Sequence, residues 1–339
     1  MASVIILIVV LAVLFDISNG WNDSANAIAT VVSTRVLSPA KAVAMAAAMN
    51  ILGAFFSTAV AVTIGKGVVD PSAVTEWVVV AALSTAFLWN AVMTMLGMPI
   101  SCSHALIGGL MGASIAHGGA GILNWKGLQV IFMSLLVSPV LGILVGYGFM
   151  KLILLLFGRH SPGGLNRVFG KLQILSSAFM AFSHGSNDAQ KAMGIITLAL
   201  LSGGFIDTLE VPWWVILTCS LAMGLGTVMG GWRVIKTIGV GMLKLEPIHG
   251  FAAETSSSLI ILLSSHFGLP VSTTHVISTS IMGVGATKRL SAVRWGIAGK
   301  IVLAWVFTLP VCFAAGWGLM QLVLLVVGRG SGGGAVPAH

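Results

Sequence analysis

Acidic side chains inside apolar stretches are the residues of this sequence best placed to do chemistry. There are nine acidic residues, and four lie in apolar surroundings: Asp16, Asp23, Asp188 and Glu254. A charge at the centre of a membrane helix costs about 2.5–3.5 kcal/mol on insertion scales. Such residues therefore persist where they face a cavity, an ion or a charged partner.

Two of these acids follow asparagine, in Asn22-Asp23 and Asn187-Asp188. Carboxylate and amide oxygens are hard ligands that suit a small cation such as Na⁺, and the same aspartates could instead carry protons. A glycine precedes each pair, which predicts a loosened helix with free backbone carbonyls. The alternative is that each pair caps the half-helix that follows it, which is compatible with ion binding.

Other oxygen-bearing side chains extend the predicted cation site. Asn26 and Gln190 lie about one helical turn beyond the two pairs and can share their face. Glu254 and Thr255 are predicted to complete an asymmetric cation site, because Leu83 aligns with Glu254 in the first half. Asp16 also lacks an acidic counterpart, and either a helix break or an ion would explain it.

A second constellation combines proline with hydroxyl side chains, in GMPISCSH at 97–104 and GLPVSTTH at 268–275. Proline fits near the start of a helix. A helix start offers unpaired N–H donors and partial positive charge, so it attracts oxyanions. The alternative is helix capping and Ser/Thr packing. The predicted anion contacts are Ser101, Ser103, Ser272, Thr273 and Thr274.

The histidines and one lysine near these motifs carry less specific signals. His104, His184, His266 and His275 are interpreted as packed, hydrogen-bonded residues rather than ligands. Lys191 lies one turn beyond Asp188, and pairing with an acid or snorkelling to the interface is favoured over direct substrate contact.

Composition restricts the elements that position these residues. Of 339 residues, 57% are hydrophobic and 8% charged, with a mean hydropathy of +1.03, whereas soluble domains carry about 25% charged residues. The chain is therefore expected to be a polytopic membrane protein, which excludes a soluble enzyme and a disulfide-rich secreted domain. The net charge of +8 is attributed to cytoplasmic loops and not to nucleic-acid binding. No motif of a membrane enzyme is present, so no catalytic residue and no resident cofactor is predicted.

Ten hydrophobic segments are predicted, and the polar stretch 158–171 divides them into two sets of five. The segments are 2–18, 39–64, 73–96, 101–117, 127–157, 173–200, 212–242, 247–267, 270–286 and 292–327. The two sets match in order: the Asn-Asp pairs, TIGKGVV with TIGVGML, the two proline motifs, and SPVLGILVG with LPVCFAAG. This conserved order indicates an internal duplication.

An odd number of segments in each copy predicts that the second copy is inverted in the membrane. Basic residues support this, because nine fall on the side of the 158–171 linker and three on the other. The predicted fold is all-α, with an inverted repeat at 1–157, a cytoplasmic linker at 158–171, a second repeat at 172–329 and a flexible tail at 330–339. Broken helices and re-entrant hairpins are expected within each repeat. Both termini are predicted to lie outside the cytoplasm, in a protein of the inner cell membrane.

These residues resemble the inorganic phosphate transporter (PiT) family, whose duplicated signature contains Gly-x-Asn-Asp. GWNDSANAIATVVSTRVLSP and FSHGSNDAQKAMGI are similar to its two signatures, and the proline motifs are similar to its Ser/Thr-rich hairpins. Ala29 departs from the family pattern, where many members have glycine. The resemblance implies phosphate and cation sites at the two Asn-Asp pairs, and phosphate contacts at the five hydroxyl residues named above.

The resemblance implies a symporter that imports phosphate with Na⁺ or H⁺ by alternating access. A sulfate permease of the same family and an anion channel are the alternatives. Competition of phosphate uptake by excess sulfate would distinguish the sulfate permease from the phosphate symporter. Conductance without a cation requirement would distinguish the anion channel. The sequence leaves open the coupling ion, the stoichiometry and whether the protein forms a homo-oligomer in the bilayer.

Overall fold

The structure, a computed structural model, describes residues 2–159 and 161–330 and contains only helices and turns as regular elements in these ranges, apart from one isolated bridge between Val69 and Leu123. The predicted tail lies outside the described residues, except for Gly330. The helices are α1 (Ala2–Ser33), α2 (Pro39–Ala54), α3 (Ala59–Gly67), α4 (Glu76–Leu96), α5 (Cys102–Gly118), α6 (Trp125–Phe157), α7 (Pro162–Ser202), α8 (Trp213–Met229), α9 (Trp232–Lys236), α10 (Pro247–His266), α11 (Thr273–Ala286) and α12 (Trp295–Gly330). A π-helical turn, Thr237–Gly241, continues α9.

Each predicted hydrophobic segment falls on one helix or on one pair of helices joined at a bend. Among the described residues, four helices are long and apolar enough to cross a membrane by length and composition: α1, α4, α6 and α12. The number becomes six if the pairs α2–α3 and α8–α9, bent by 69° and 64°, each count as one span. The helical class is confirmed, while the ten segments as membrane elements stay a prediction.

The helix breaks do not lie where the Gly-Asn-Asp motifs predicted them. Both Asn-Asp pairs lie inside continuous helices, α1 and α7, so the backbone there is not opened. The glycines serve close packing instead. A Cβ on Gly20 would lie 2.4 Å from the Met223 carbonyl oxygen, and one on Gly185 would lie 2.2 Å from that of Asn50. The expectation of loosened helices at these pairs is therefore wrong, because the missing side chains let neighbouring helices approach.

Two apolar cores are separated by a polar layer. The first core includes residues 5–15 of α1 and 189–200 of α7, together with α3, α4 and α5. The second includes residues 25–31 of α1 and 169–181 of α7, together with α10 and α11. Between them, residues 16–24 of α1 and 183–188 of α7 bring buried polar side chains together. Both Asn-Asp pairs lie in this polar layer.

The predicted linker is mostly helical. The helix α7 begins at Pro162, so residues 158–161 alone separate it from the end of α6. Residues 162–171 belong to the first turns of α7 and lead directly into the segment that carries Asn187-Asp188. The cytoplasmic position of this stretch stays a prediction.

Candidate functional site

Two carboxylates and two hydroxyls from three helices meet in the polar layer. The Thr274 hydroxyl donates to Asp23 Oδ1 at 2.9 Å. The Thr273 hydroxyl lies 3.3 Å from Asp188 Oδ2 and 3.5 Å from Asp23 Oδ2, and so links the two acids. All four side chains are buried. Residues about 165 and 250 positions apart in the chain therefore form one cluster, which the prediction of a shared site required.

These hydroxyls are placed by the start of α11. Ser272 is the N-cap residue, and its hydroxyl accepts a hydrogen bond from the His275 backbone N–H at 3.3 Å. Thr273 and Thr274 follow in the first turn, where helical geometry turns their side chains toward α1 and α7. Ser272 therefore holds the helix start, and the two threonines make the contacts.

The corresponding helix start in the first half is capped in the same way but makes different contacts. Ser101 accepts from the His104 backbone N–H at 3.2 Å. Ser103 donates to the Val271 carbonyl at 3.2 Å, and so joins the two proline motifs. Both serines are buried beside the cluster of carboxylates and hydroxyls without a hydrogen bond to Asp23 or Asp188 among the described residues.

The asparagines of the two pairs make matching contacts. Asn22 Nδ2 donates to the Thr94 hydroxyl at 2.8 Å and to the Met98 carbonyl at 3.3 Å. Asn187 Nδ2 donates to the Ser265 hydroxyl at 3.0 Å and to the Leu269 carbonyl at 3.5 Å. Asn22 thus ties α1 to the end of α4, and Asn187 ties α7 to the end of α10 in the same way. The side-chain oxygens of both are buried and have no hydrogen-bond partner among the described residues.

His184 is a site residue that sequence reasoning assigned to packing. Its Nε2 lies 3.7 Å from Asp23 Oδ2 and 3.6 Å from Asp188 Oδ2, and its Nδ1 is 2.9 Å from Asn50 Oδ1. The three groups Asp23, His184 and Asp188 each offer a ligand atom, and these atoms lie within 4.8 Å of one another. Its spacing, four residues before Asp188 on the same helix face, was the available signal.

His104 and His275 lie beside the cluster and stack on each other. Their ring centroids are 4.9 Å apart, and the His275 ring lies 4.0 Å from the Trp305 ring. The Trp305 indole N–H donates to the Pro99 carbonyl at 3.0 Å. This stack packs the two proline motifs together, in agreement with the interpretation of both histidines as packed residues.

Lys191 and Asn26 occupy equivalent positions one turn after the two aspartates. The Lys191 ammonium lies 2.8 Å from Asp188 Oδ2, and both side chains are buried. The Asn26 amide donates to the hydroxyls of Thr273 and Thr274 at 3.3 and 3.0 Å. Of the two interpretations of Lys191 that the sequence favoured, the structure has the ion pair.

Gln190 lies near the cluster, but its side-chain oxygen accepts hydrogen bonds at the start of α3. Its Oε1 accepts from the backbone N–H groups of Val60 and Ala61 at 2.8 and 3.1 Å, and its amide donates to the Ser186 carbonyl. The N-cap residue of α3, Thr58, makes no side-chain cap. Gln190 therefore caps α3 from a distant helix, a contact that only the tertiary structure creates.

Glu254 forms a separate buried polar group. Its carboxylate accepts from the hydroxyls of Thr30 and Ser176, and from the Gln173 amide at 3.4 Å. Thr255, predicted as its partner, is only half-buried and has no hydrogen bond to Glu254 among the described residues. Asp16 is buried on α1 about two turns before Asp23.

The cluster combines groups for two kinds of solute. Hydroxyl donors at the start of α11 can bind an oxyanion, and paired carboxylates with unpartnered amide oxygens can bind a cation. The burial of these side chains places them in a medium of low dielectric constant, which strengthens both interactions.

Comparison with known proteins agrees with this chemistry. Residues 19–316 match the family model described as Phosphate transporter family. A relative from Rhizobium meliloti (strain 1021) named as a probable low-affinity inorganic phosphate transporter is 45% identical over 89% of this chain and 91% of its own length. A relative of the same name from Bacillus subtilis (strain 168) is 44% identical over 92% and 94%.

A solved structure described as the sodium-dependent phosphate transporter is also similar, with a TM-score of 0.89 and 26% identity. The match covers 96% of this chain and 100% of that one. With the apolar helices, these matches confirm a multi-pass membrane protein and the resemblance noted from the motifs. The chain belongs to the phosphate transporter family.

Proposed function

We propose that this protein is a secondary active transporter that imports inorganic phosphate together with a cation, Na⁺ or H⁺. One observation carries the proposal: Asp23, Asp188, Thr273 and Thr274 meet in a buried cluster between two apolar cores. Family membership supports phosphate as the solute, and the name of the structural neighbour supports a monovalent cation.

Phosphate would bind at the helix starts of α5 and α11. The hydroxyls of Thr273 and Thr274 would donate to its oxygens, with Ser101, Ser103 and Ser272 holding or lining the two starts. Phosphate keeps a proton near neutral pH, so Asp23 or Asp188 can accept a hydrogen bond from it. Sulfate carries no such proton, and an anionic carboxylate would repel it. The site therefore favours phosphate over sulfate.

The cation would offset the repulsion between these carboxylates and the anion, which couples the two fluxes. Its proposed ligands are oxygens of Asp23 and Asp188 and the unpartnered oxygens of Asn22, Asn26 and Asn187. The earlier candidates Gln190, Glu254 and Thr255 stay predictions. Gln190 would act through α3, and Glu254 would form a second position toward the other end of α1.

Inverted repeats and alternating access are part of this proposal. Along the chain, α1 passes from the first core to the second, whereas α7 passes from the second core to the first. Equivalent helices thus run in opposite directions through the polar layer, as an inverted duplication requires. Rocking of one half against the other would open the layer to each side in turn. The short helices α5 and α11, about 25 and 21 Å long, favour re-entrant hairpins.

The distribution of basic residues supports an inner-membrane protein with residues 158–171 in the cytoplasm and both termini of this chain outside. This orientation makes the proposed direction of transport, from outside to inside, testable in right-side-out vesicles.

The test is uptake of labelled phosphate by the purified protein in proteoliposomes, with Na⁺ and pH gradients imposed separately. We expect accumulation against a phosphate gradient under at least one of the two cation gradients, and little inhibition by excess sulfate. Strong competition by sulfate would indicate the sulfate permease. Phosphate conductance that needs no cation and gives no accumulation would indicate a channel and contradict the proposal.

A further inference from the structure

The two halves place different chemistry at one equivalent position. The offset of 165 residues that aligns Asn22-Asp23 with Asn187-Asp188 also aligns Asn26 with Lys191. One half therefore has a neutral amide one turn after its aspartate, and the other half has an ammonium group.

The surroundings of Lys191 give its charge a single evident role. The side chain is 1% exposed, and its Nζ lies 2.8 Å from Asp188 Oδ2, which is fully buried. A buried ammonium persists when it is paired, because burial costs it the solvation that bulk water would provide. Asn26 does not pair with Asp23 but donates to the hydroxyls of Thr273 and Thr274. Among the described residues, Asp23 therefore has no lysine or arginine in ion-pair contact, whereas Asp188 has Lys191, and His184 lies near both acids.

We infer that the Lys191 ammonium is a tethered cation, which takes the place of one co-transported cation at Asp188. Only the Asp23 side of the cluster then needs a free cation, bound with the oxygens of Asn22 and Asn26. This inference rests on the proposed function and concerns the number of cations transported per phosphate. That number is one lower than a site with a neutral residue at position 191 would require.

The charges that face the cluster support this number of free cations per phosphate. Asp23 and Asp188 contribute two negative charges, Lys191 contributes one positive charge, and His184 lies between the two acids. Replacing Lys191 by asparagine would restore the chemistry of the first half and leave Asp188 without a counter-ion. A second free cation would then be needed before phosphate, itself an anion, could bind between the two carboxylates.

The experiment measures the number of cations transported per phosphate. Proteoliposomes containing the full chain or its Lys191→Asn variant are loaded with labelled phosphate, and the membrane potential at which net phosphate flux reverses is determined under fixed Na⁺ and pH gradients. We expect Lys191→Asn to raise the ratio by one cation per phosphate. Lys300→Asn, which removes an exposed lysine from α12, is the matched control and should keep the ratio of the unchanged protein.

The outcomes separate this inference from the proposed function. If the unchanged protein shows no cation-driven phosphate accumulation, the proposed function fails. If it accumulates phosphate and Lys191→Asn transports with the same ratio, the tethered cation is wrong; a higher KM for phosphate at an unchanged ratio would make Lys191 a phosphate ligand instead. If Lys191→Asn does not fold, Lys191→Gln, which removes the charge and keeps a longer side chain, is measured instead. It should raise the ratio by one cation per phosphate, and an unchanged ratio would overturn the inference.

Discussion

The helices α1 and α7 carry the two Asn-Asp pairs. Their asparagines make matching contacts, but their aspartates have different partners. Asn22 and Asn187 each donate to a hydroxyl near the end of a helix, α4 or α10, and to the backbone carbonyl four residues further on. The aspartates differ, since Asp23 accepts from Thr274 whereas Asp188 is paired with Lys191. The comparison teaches that the two Asn-Asp pairs share their packing contacts and the polar layer, while the side chains one turn after the two aspartates differ in charge.

The largest difference should appear when each aspartate is neutralised. Both Asp188→Asn and Asp23→Asn are expected to lose cation-driven phosphate uptake. Asp188→Asn should also destabilise the protein by about 3–5 kcal/mol, because the buried Lys191 ammonium loses its counter-ion. Asp23→Asn should cost about 1 kcal/mol, since the amide oxygen can still accept from Thr274. Uptake per protein in the membrane and thermal unfolding of the purified variants measure both effects.

The double variant Asp188→Asn/Lys191→Asn is the control for this interpretation, because it removes both charges of the pair. It should be more stable than Asp188→Asn alone. Equal destabilisation by Asp23→Asn and Asp188→Asn would contradict the electrostatic difference between the halves.

The two helix starts should differ in their effect on phosphate affinity. Thr274→Val removes a hydroxyl that is proposed to donate to the phosphate anion; a hydrogen bond to a charged group is worth about 1.5–3 kcal/mol, or roughly a 10- to 150-fold rise in KM. Ser103→Ala removes a neutral hydrogen bond to Val271, worth about 0.5–1.5 kcal/mol. The KM for phosphate uptake measures both. A larger rise in KM for Ser103→Ala than for Thr274→Val would indicate that phosphate binds nearer to α5.

The two close-packed glycines should behave alike. Gly20→Ala and Gly185→Ala each place a Cβ within 2.4 Å of a backbone oxygen on a neighbouring helix, so each should destabilise by about 1–3 kcal/mol. Gly148→Ala in α6 is the control, since a Cβ there meets nothing within 4 Å. Thermal unfolding of the three purified variants measures the difference in stability between the control and the other two. Tolerance of alanine at both positions would contradict the close-packing role of these glycines.

The smallest effects should come from the caps that one half supplies to the other. Gln190 accepts from the start of α3, and the Ser24 hydroxyl accepts from the Gly231 backbone N–H, just before α9, at 2.8 Å. Gln190→Leu and Ser24→Ala should each cost about 0.5–2 kcal/mol. Hydrogen exchange should rise at 60–61 in the first variant and at residue 231 in the second. Unchanged exchange at both places would exclude this capping role.

Several features could be predicted because they depend on local sequence. Apolar length predicted the helices, and the proline motifs predicted the helix starts that Ser101 and Ser272 cap, since a helix start depends on neighbouring residues. The carboxylates in Asn22-Asp23 and Asn187-Asp188 stood out because isolated charges are rare in apolar stretches. Gly20 and Gly185 were misinterpreted, because a glycine that loosens a helix and one that admits a neighbouring helix look identical in sequence.

By itself, the sequence determined an apolar helical protein with a duplicated set of motifs and a small number of buried charges, because hydrophobicity and repetition are properties of the chain. Only the tertiary structure decided that Thr273 and Thr274 reach both aspartates, that His184 lies between them, and that Gln190 caps α3. These contacts join residues 85 or more positions apart or depend on which face of a helix is buried. Packing of one helix against another sets such distances, and local sequence does not encode them.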